Sequence, residues 1–340
     1  MQRDPVIDVL RGVAVLGVIT GHWLVTALVT GPNGLVVDSP LRWLPGFTPL
    51  SWVLQTLGLF FFAGGFAAAR SRSGWWRKVR RLAVPVAVVV ACWALVLAGF
   101  VLRGMPQETI STIIHLVVTP LWFLGVYVAL LALMPIVRWL DARLGAWAVL
   151  LLVLLAVVAE FSAFSEVNVL VAWWAPWQAG VVVARVGFVR SWGLPLLVTG
   201  IAAYVLLVRF AGYPASAVGG TGEPRSNLSP PSPAALALAA AQIGVVLLAA
   251  PLVQRVRWRA VRWLNEHALA LFLLHQSALL TVTLVAEAFG VIPGLHTPPT
   301  DPAWPLERLL WFPLFAVALV GWLTALRWII QRKTVMEVAR

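Results

Sequence analysis

The sequence predicts an all-α protein that crosses a membrane about ten times, with both termini cytoplasmic. Three observations predict it: an apolar bulk composition, a train of apolar runs near bilayer length, and a one-sided distribution of basic residues. Of 340 residues, 61% are apolar and 11% are charged, where soluble domains hold about half and a quarter. The mean hydropathy is +0.91.

A helix spanning the hydrocarbon layer needs roughly 20 apolar residues. Runs of that kind fall at 6–29, 49–70, 82–102, 120–138, 145–164, 168–187, 192–210, 235–254, 265–289 and 309–330, within one membrane domain over 1–340. The run at 168–187 contains Pro176 and three tryptophans, so 145–187 could instead hold one span and a re-entrant piece.

Charge tests this map. There are 25 Lys and Arg against 13 Asp and Glu, a net charge of +12. With the N-terminus inside, the cytoplasmic segments hold Arg3, the cluster from Arg70 to Arg81, Arg138, Arg143, Arg185 and Arg190. They also hold Arg255, Arg257, Arg259, Arg262, Arg327, Arg332, Lys333 and Arg340. The opposite side holds Arg42, Arg103, Arg209, Arg225 and Arg308. Short loops follow this bias strongly, so the positive charge is a topology signal and not a nucleic-acid groove.

The remaining features narrow the class. Cys92 is the sole cysteine, which rules out a disulfide, a Cys-based zinc site or an iron–sulfur cluster within one chain. Arg11 and His22 interrupt the first apolar run, and no small-residue cleavage site follows, so it is expected to stay as a permanent helix. No internal repeat is visible. Segments 30–48 and 290–308 hold several prolines and are expected to cap an outer vestibule. Residues 211–234 are rich in Gly, Pro and Ser and are expected to form a flexible linker. Within them, Gly219-Gly220-Thr221-Gly222 is not a phosphate loop, because no Lys-Ser or Lys-Thr follows. Trp75, Trp76, Trp139, Trp192, Trp258, Trp263 and Trp328 lie near span ends, where interfacial anchors belong.

Polar groups inside the spans carry the functional information, since a charge at mid-bilayer costs about 2.5–3.5 kcal/mol on insertion scales. The first span holds Asp8, Arg11 and His22. Asp8 and Arg11 are three apart and can pair on one face. His22 comes eleven residues after Arg11, which is three helical turns plus roughly 20°, so both share a face about 16–17 Å apart. Taken singly, Arg11 can snorkel and His22 can simply hydrogen-bond a neighbouring helix; their common register favours a functional reading. The basic run Arg77-Lys78-Val79-Arg80-Arg81 is a topology determinant whose guanidinium forks also suit phosphate. Pro120-Leu121-Trp122-Phe123-Leu124 opens a span with aromatics, as anchors do, and His275 lies near the middle of another, where a satisfied core histidine is the commoner role. His115, His267 and His296 fall in loops or at span ends, and no metal constellation is expected.

At these residues the chain resembles the membrane acyltransferase-3 family. The first helix of that family carries a basic residue, ten intervening residues and a histidine, here Arg11 to His22 within Ile7-Asp8-Val9-Leu10-Arg11-Gly12 and Gly21-His22. Its Gly/Phe-rich second helix corresponds to Leu59-Phe60-Phe61-Phe62-Ala63-Gly64-Gly65-Phe66, with Gly64 where the family usually has serine. Its Arg-x-x-Arg motif is met both by Arg77 with Arg80 and by Lys78 with Arg81, ahead of Pro85. Leu121-Trp122-Phe123-Leu124 and the late His275 also match. The resemblance covers the chain from the first to the ninth span.

The resemblance implies transfer of an acyl group, commonly acetyl, from a coenzyme A thioester to a cell-envelope sugar, a lipid or a secondary metabolite, without a metal. On that reading His22 is the general base, and Arg11 binds a phosphate or the pantetheine amide while Asp8 orients it. Arg77, Lys78, Arg80 and Arg81 hold the coenzyme A phosphates at the cytoplasmic mouth, and Trp122 packs against the donor. The rival reading is a proton-coupled transporter or flippase of a lipid-linked or glycan substrate, since intramembrane His and Asp also build proton relays.

Overall fold

The computed structural model describes residues 4–218, 225–255 and 258–338, with side chains as far as Gln331. Arg3, Arg257, Arg340 and the stretch Gly219-Gly220-Thr221-Gly222 lie outside the described residues, as do the side chains of Arg332 and Lys333. The chain runs through α1 (Pro5–Val25), β1 (Ala27–Gly31), β2 (Gly34–Asp38), α2 (Pro40–Trp43), α3 (Thr48–Leu54), α4 (Leu57–Arg70), α5 (Trp75–Leu102), α6 (Gln107–Val118), α7 (Leu121–Ala132) and α8 (Met134–Leu144). It continues through α9 (Trp147–Glu160), α10 (Asn168–Val186), α11 (Gly193–Phe210), α12 (Pro233–Val253), α13 (Arg259–Glu287), α14 (Trp304–Leu310) and α15 (Phe312–Val338).

The protein is an all-α polytopic membrane protein. Among the described residues, nine helices or helix runs are long and apolar enough to cross a bilayer, and the pair α8 and α9, bent by 116°, brings the count to ten if it makes one crossing. Alone, α9 has 14 residues, a rise of about 21 Å. All seven tryptophans expected as anchors are exposed, as an indole at the headgroup level must be.

Four stretches differ from the expected map. The first span ends at Val25, and residues 27–38 form an antiparallel hairpin with Gly31 opposite Gly34. Its Val- and Thr-rich strands extend the apolar run without being helical, and a run of that kind does not reveal its period. The expected outer loop after the third span contains α6, whose buried Ile110, Ile113 and Leu116 recur every three residues. The expected span 120–138 stops at Ala132, where α8 begins after a one-residue break with Pro135 in its first turn. Segment 211–234 is not a slack linker where it is described. Asn227 is fully buried there and donates through Nδ2 to the carbonyls of Pro214 at 3.0 Å and Ser216 at 2.7 Å. Arg225 also pairs with Glu160 at the end of α9, at 2.5 Å.

The helices group into two compact units. One comprises Met1–Val18, Gly46–Ser73 and Leu124–Ala268. Lipid tails are as apolar as leucine, so helices here associate by close packing and internal polar bonds. A Cβ at Gly65 would overlap the Trp177 carbonyl, and one at Gly180 would overlap that of Phe62, so α4 and α10 touch backbone to backbone. Phe61 stacks on Trp173 beside this contact, with centroids 5.1 Å apart. The break between α3 and α4 is tied down by Gln242, which donates to the carbonyls of Trp52 at 2.9 Å and Gln55 at 2.8 Å.

The second unit comprises Ile19–Pro45, Gly74–Phe123 and Leu269–Arg340. The hairpin packs on α6 through Thr109, which accepts from the Leu35 amide at 3.0 Å, and Thr112, which donates to the Leu35 carbonyl at 2.8 Å. On α5, Trp93 donates to Ser277 of α13 at 2.8 Å and stacks on Trp322 of α15. Trp322 in turn donates to Thr281 at 2.9 Å. His296 is buried with both ring nitrogens used: Nδ1 accepts from the Ile292 amide at 3.2 Å and Nε2 donates to the Thr283 carbonyl at 3.0 Å.

The glycine contact gives a clear expectation. Gly65→Val should lower stability by about 1–3 kcal/mol or more, the range for overpacking, read as an earlier thermal transition of the detergent-solubilised protein. Gly99 of α5 faces open space, so Gly99→Ala should leave that transition unchanged or raise it.

Candidate active site

The second unit brings together three polar side chains that the sequence separates. His22 lies one turn from the end of α1, and His275 and Gln276 lie midway along α13. The two imidazole centroids are 4.9 Å apart, with the rings inclined at 47°. The amide nitrogen of Gln276 stands 3.1 Å from Nδ1 of His22. His275 is fully buried, and its Nδ1 donates to the Phe272 carbonyl at 2.5 Å. A carbonyl can only accept, so that bond fixes the proton of neutral His275 on Nδ1 and leaves Nε2 as a lone pair. Neither His275 Nε2 nor Gln276 Oε1 has a hydrogen-bond partner. A pair of buried, unused acceptors beside an imidazole is costly in a folded protein.

The ends of both helices are locked. Trp23, next to His22, donates its indole N–H to the His275 carbonyl at 2.9 Å, which sets α1 against α13 in register. Its ring packs on Phe312 and Phe315. Arg308 caps α1. It donates through Nε to the Trp23 carbonyl at 2.7 Å and through Nη2 to that of Thr26 at 2.6 Å. Nη1 reaches the Gly294 carbonyl at 2.9 Å. A cation on the last carbonyls of a helix opposes the negative end of its dipole. Arg308 is fully buried against the rings of Trp304 and Phe315. Burial lowers its pKa to about 9, which leaves it cationic at neutral pH. As an outer-loop arginine it carried no functional expectation. The sequence signal was there: an isolated Arg in an aromatic-rich stretch on the side that excludes positive charge.

The other expected residues take distinct places. Arg77, Arg80 and Arg81 are exposed on the first two turns of α5, with Lys78 half-buried among them. Twelve residues of the same helix separate Arg81 from Trp93, which touches Ser277 beside Gln276. The basic helix start and the imidazole pair are therefore about 18 Å apart along α5. Trp122 connects to the pair through a chain of rings: it meets Phe123 edge-on, Phe123 packs on Phe272, and Phe272 on His275. Phe123 is thus the buried link. It belongs to the same aromatic motif, but spacing alone did not single it out.

Asp8 and Arg11 belong to the first unit, on the first turns of α1. The Asp8 carbonyl accepts from Asn265 Nδ2 at 2.5 Å. The charge of Arg11 acts on Tyr127 of α7, whose ring meets Trp177 edge-on at 5.1 Å. Gly64 fits this corner. A Cβ there would lie 2.7 Å from Cζ3 of Trp177 and 2.8 Å from Cε2 of Tyr127, so in this chain the two rings fill the space a serine would need. Among the described residues no group of three or more His, Cys, Asp or Glu could hold a metal ion.

A family model described as an acyltransferase domain matches residues 4–328. No curated protein and no solved structure matches the chain.

Removing Arg308 should loosen the end of the helix that carries His22. Arg308→Leu strands three carbonyls and should cost at least about 2 kcal/mol, measured by thermal unfolding in detergent. Arg308→Lys, with one ammonium in place of a fork, should recover part of that loss.

Proposed function

The chain belongs to the membrane acyltransferase-3 family, and from that premise we propose that it moves an acetyl group from coenzyme A to a hydroxyl or amine on a cell-envelope sugar, lipid or secondary metabolite. The protein is a multi-pass membrane enzyme that transfers acyl groups. We place it in the plasma membrane, with its arginine-rich ends cytoplasmic. Family membership decides against proton-coupled transport as the activity.

The observation that carries the reading is the buried meeting of His22, His275 and Gln276. Acyl transfer from a thioester needs a group to take the acceptor proton. In the proposed step, His22 Nε2 takes the proton from the acceptor hydroxyl as its oxygen attacks the thioester carbon. A carbon–oxygen bond forms, the carbon–sulfur bond breaks, and the coenzyme A thiolate leaves and takes the proton back from His22. The base must be unprotonated at Nε2, which places its own proton on Nδ1. Gln276 then orients His22 by accepting that proton's hydrogen bond through Oε1. The carbonyl and amino ends of an amide are exchanged by a half-turn and are assigned from their neighbours, so the same 3.1 Å contact serves either tautomer. His275 Nε2 is left to accept from the acceptor or to receive the proton from His22.

The donor end of the reading rests on α5. Arg77, Arg80 and Arg81 with Lys78 offer phosphate-binding forks at the cytoplasmic mouth. The run of about 18 Å from there to the level of the imidazole pair suits a donor whose charge lies at one end and whose reactive thioester lies at the other. Arg11, oriented by Asp8, is assigned to the donor as well, and Trp122 and Phe123 to the wall of its channel. His22 sits toward the outer end of α1, so the acyl group can pass to an acceptor on the far side while coenzyme A stays inside.

Purified protein supplied with acetyl-coenzyme A and envelope extract should release free thiol. His22→Ala should lower that rate by at least about 100-fold, the lower range for a lost general base, with the protein still monodisperse. Retention of the full rate by that variant would remove His22 from the mechanism. Gln276→Leu should lower kcat with little change in KM for the donor. Arg77→Gln combined with Arg80→Gln should do the reverse, raising KM about tenfold or more.

A further inference from the structure

The first unit contains an apolar groove lined by none of the residues assigned to acyl transfer. Its volume is about 540 Å³, within the ~300–1,000 Å³ typical of ligand sites. α9 packs on α10 and α11 packs on α12, and the groove lies between the two pairs. Its floor is Val182 and Val183 of α10 with Ile243 and Leu247 of α12, all buried. Trp147 and Leu150 of α9 form one wall, and Trp192 and Leu196 the other. Thr199 is the one hydroxyl residue in the lining, and it donates to the Pro195 carbonyl of its own helix at 2.6 Å. The groove therefore offers hydrocarbon surface and no polar recognition along its length.

Its mouth is different. Gly145 immediately precedes the lining residues Ala146 and Trp147, and Arg185 Nη2 lies 3.4 Å from where a Cβ of Gly145 would be. Arg190 stands two residues before Trp192 and is exposed. Arg143 is exposed on the last turn of α8, its guanidinium 5.9 Å from the Trp139 ring. Of this set only Arg185 is neutralised, by Asp141 at 2.8 and 3.1 Å. Two uncompensated cations and two interfacial indoles thus frame one end of a hydrocarbon-lined cleft inside membrane-spanning helices. The complementary molecule has an anionic head and an alkyl chain.

We propose that this groove is a binding site for an acidic phospholipid of the cytoplasmic leaflet. One acyl chain lies between α9 and α11 over the α10 and α12 floor. The phosphate sits at Arg190 and Arg143, with the Arg185–Asp141 pair behind it. A water-soluble ligand has nothing to bond to along the groove, and a zwitterionic lipid gains little at its mouth. The site depends only on the first unit, so it stands or falls independently of His22.

The test is native mass spectrometry of the full-length protein, released from detergent after equilibration with equimolar phosphatidylglycerol and phosphatidylcholine. The wild type should retain phosphatidylglycerol over phosphatidylcholine by roughly tenfold or more, as two uncompensated arginines at a membrane surface give. Arg143→Gln with Arg190→Gln, both exposed, should abolish the preference without unfolding the protein. Ala240→Leu, on the groove lining, should reduce retention of both lipids; Ala240→Phe should reduce it further if that variant folds. Equal retention of the two lipids by the wild type overturns the proposal, as does a preference that survives the double arginine variant. Retention of both lipids untouched by Ala240→Leu also overturns it, because the head group would then bind without the groove.

Discussion

The structure depends on one constraint: inside the hydrocarbon layer every backbone N–H and C=O must find a partner within the protein. Continuous helices meet it automatically. Interrupted ones do not, and this chain interrupts its helices repeatedly. At several of these breaks and helix ends a side chain from elsewhere supplies a donor. Gln242 serves the break between α3 and α4 through the Trp52 and Gln55 carbonyls, and Thr56 donates to the Ala14 carbonyl at the same level. Gln178 donates to the Val137 carbonyl just after the break between α7 and α8. Arg138 reaches the Ala68 and Ala69 carbonyls at the end of α4, and Arg308 closes α1.

That accounting is what isolates the candidate site. Gln178 and Gln276 are both buried glutamines on long helices. Gln178 uses both ends of its amide, donating to Val137 and accepting from the Trp174 indole. Gln276 leaves Oε1 unpaired. His296 and His275 are both buried histidines. His296 uses both ring nitrogens to pin the outer segment to α13 and to the turn at Ile292, while His275 leaves Nε2 unpaired. Single unpaired atoms also occur on Gln55, Asn168, Trp177, Gln242, Asn265 and Thr283. What distinguishes the level of His22 is that two of them meet a second imidazole there. Chemistry that must bind a transient partner needs such unspent hydrogen-bonding capacity, and here it is gathered beside an imidazole.

The spans were legible because length and apolarity are enough to define them, and because basic residues fall where translocation leaves them. The exposed tryptophans and the candidacy of His22 follow from the same physics: an indole belongs at an interface, and an imidazole is expensive in lipid. Local runs that change period without changing polarity were not legible. The hairpin at 27–38 continues an apolar stretch with Val and Thr, so only the Pro32-Asn33 turn between two glycines marked it. Helix α6 hid in an expected loop because Gln107, Glu108, Thr109, Ser111 and Thr112 crowd its first half with polar groups. The partners of His22 were hidden for a different reason. Gln276 lies 254 positions away, and no spacing rule within one helix reaches that far. Gly64 departs from its family, and the departure became intelligible only through Trp177 and Tyr127, which occupy the missing side chain's place.

In the proposed mechanism, the choice of an amide as the partner of His22 follows from where the site lies. A carboxylate at that position would orient the ring more strongly, but it would bring a second ionisable group into the membrane. A buried charge whose partner is neutral is destabilising, and a carboxylate is balanced only while His22 holds a proton, so it would be stranded at every other moment of the cycle. An amide presents both a donor and an acceptor with no net charge. It can follow the imidazole through loss and gain of a proton by a half-turn, at the cost of weaker electrostatic support for the imidazolium. His275 offsets part of that weakness, because its fixed Nδ1–H bond to Phe272 keeps a second lone pair ready to share the proton. The site therefore exchanges the strength of a fixed carboxylate for neutrality in the resting state, which is the condition under which an ionisable catalyst can be kept inside a bilayer at all.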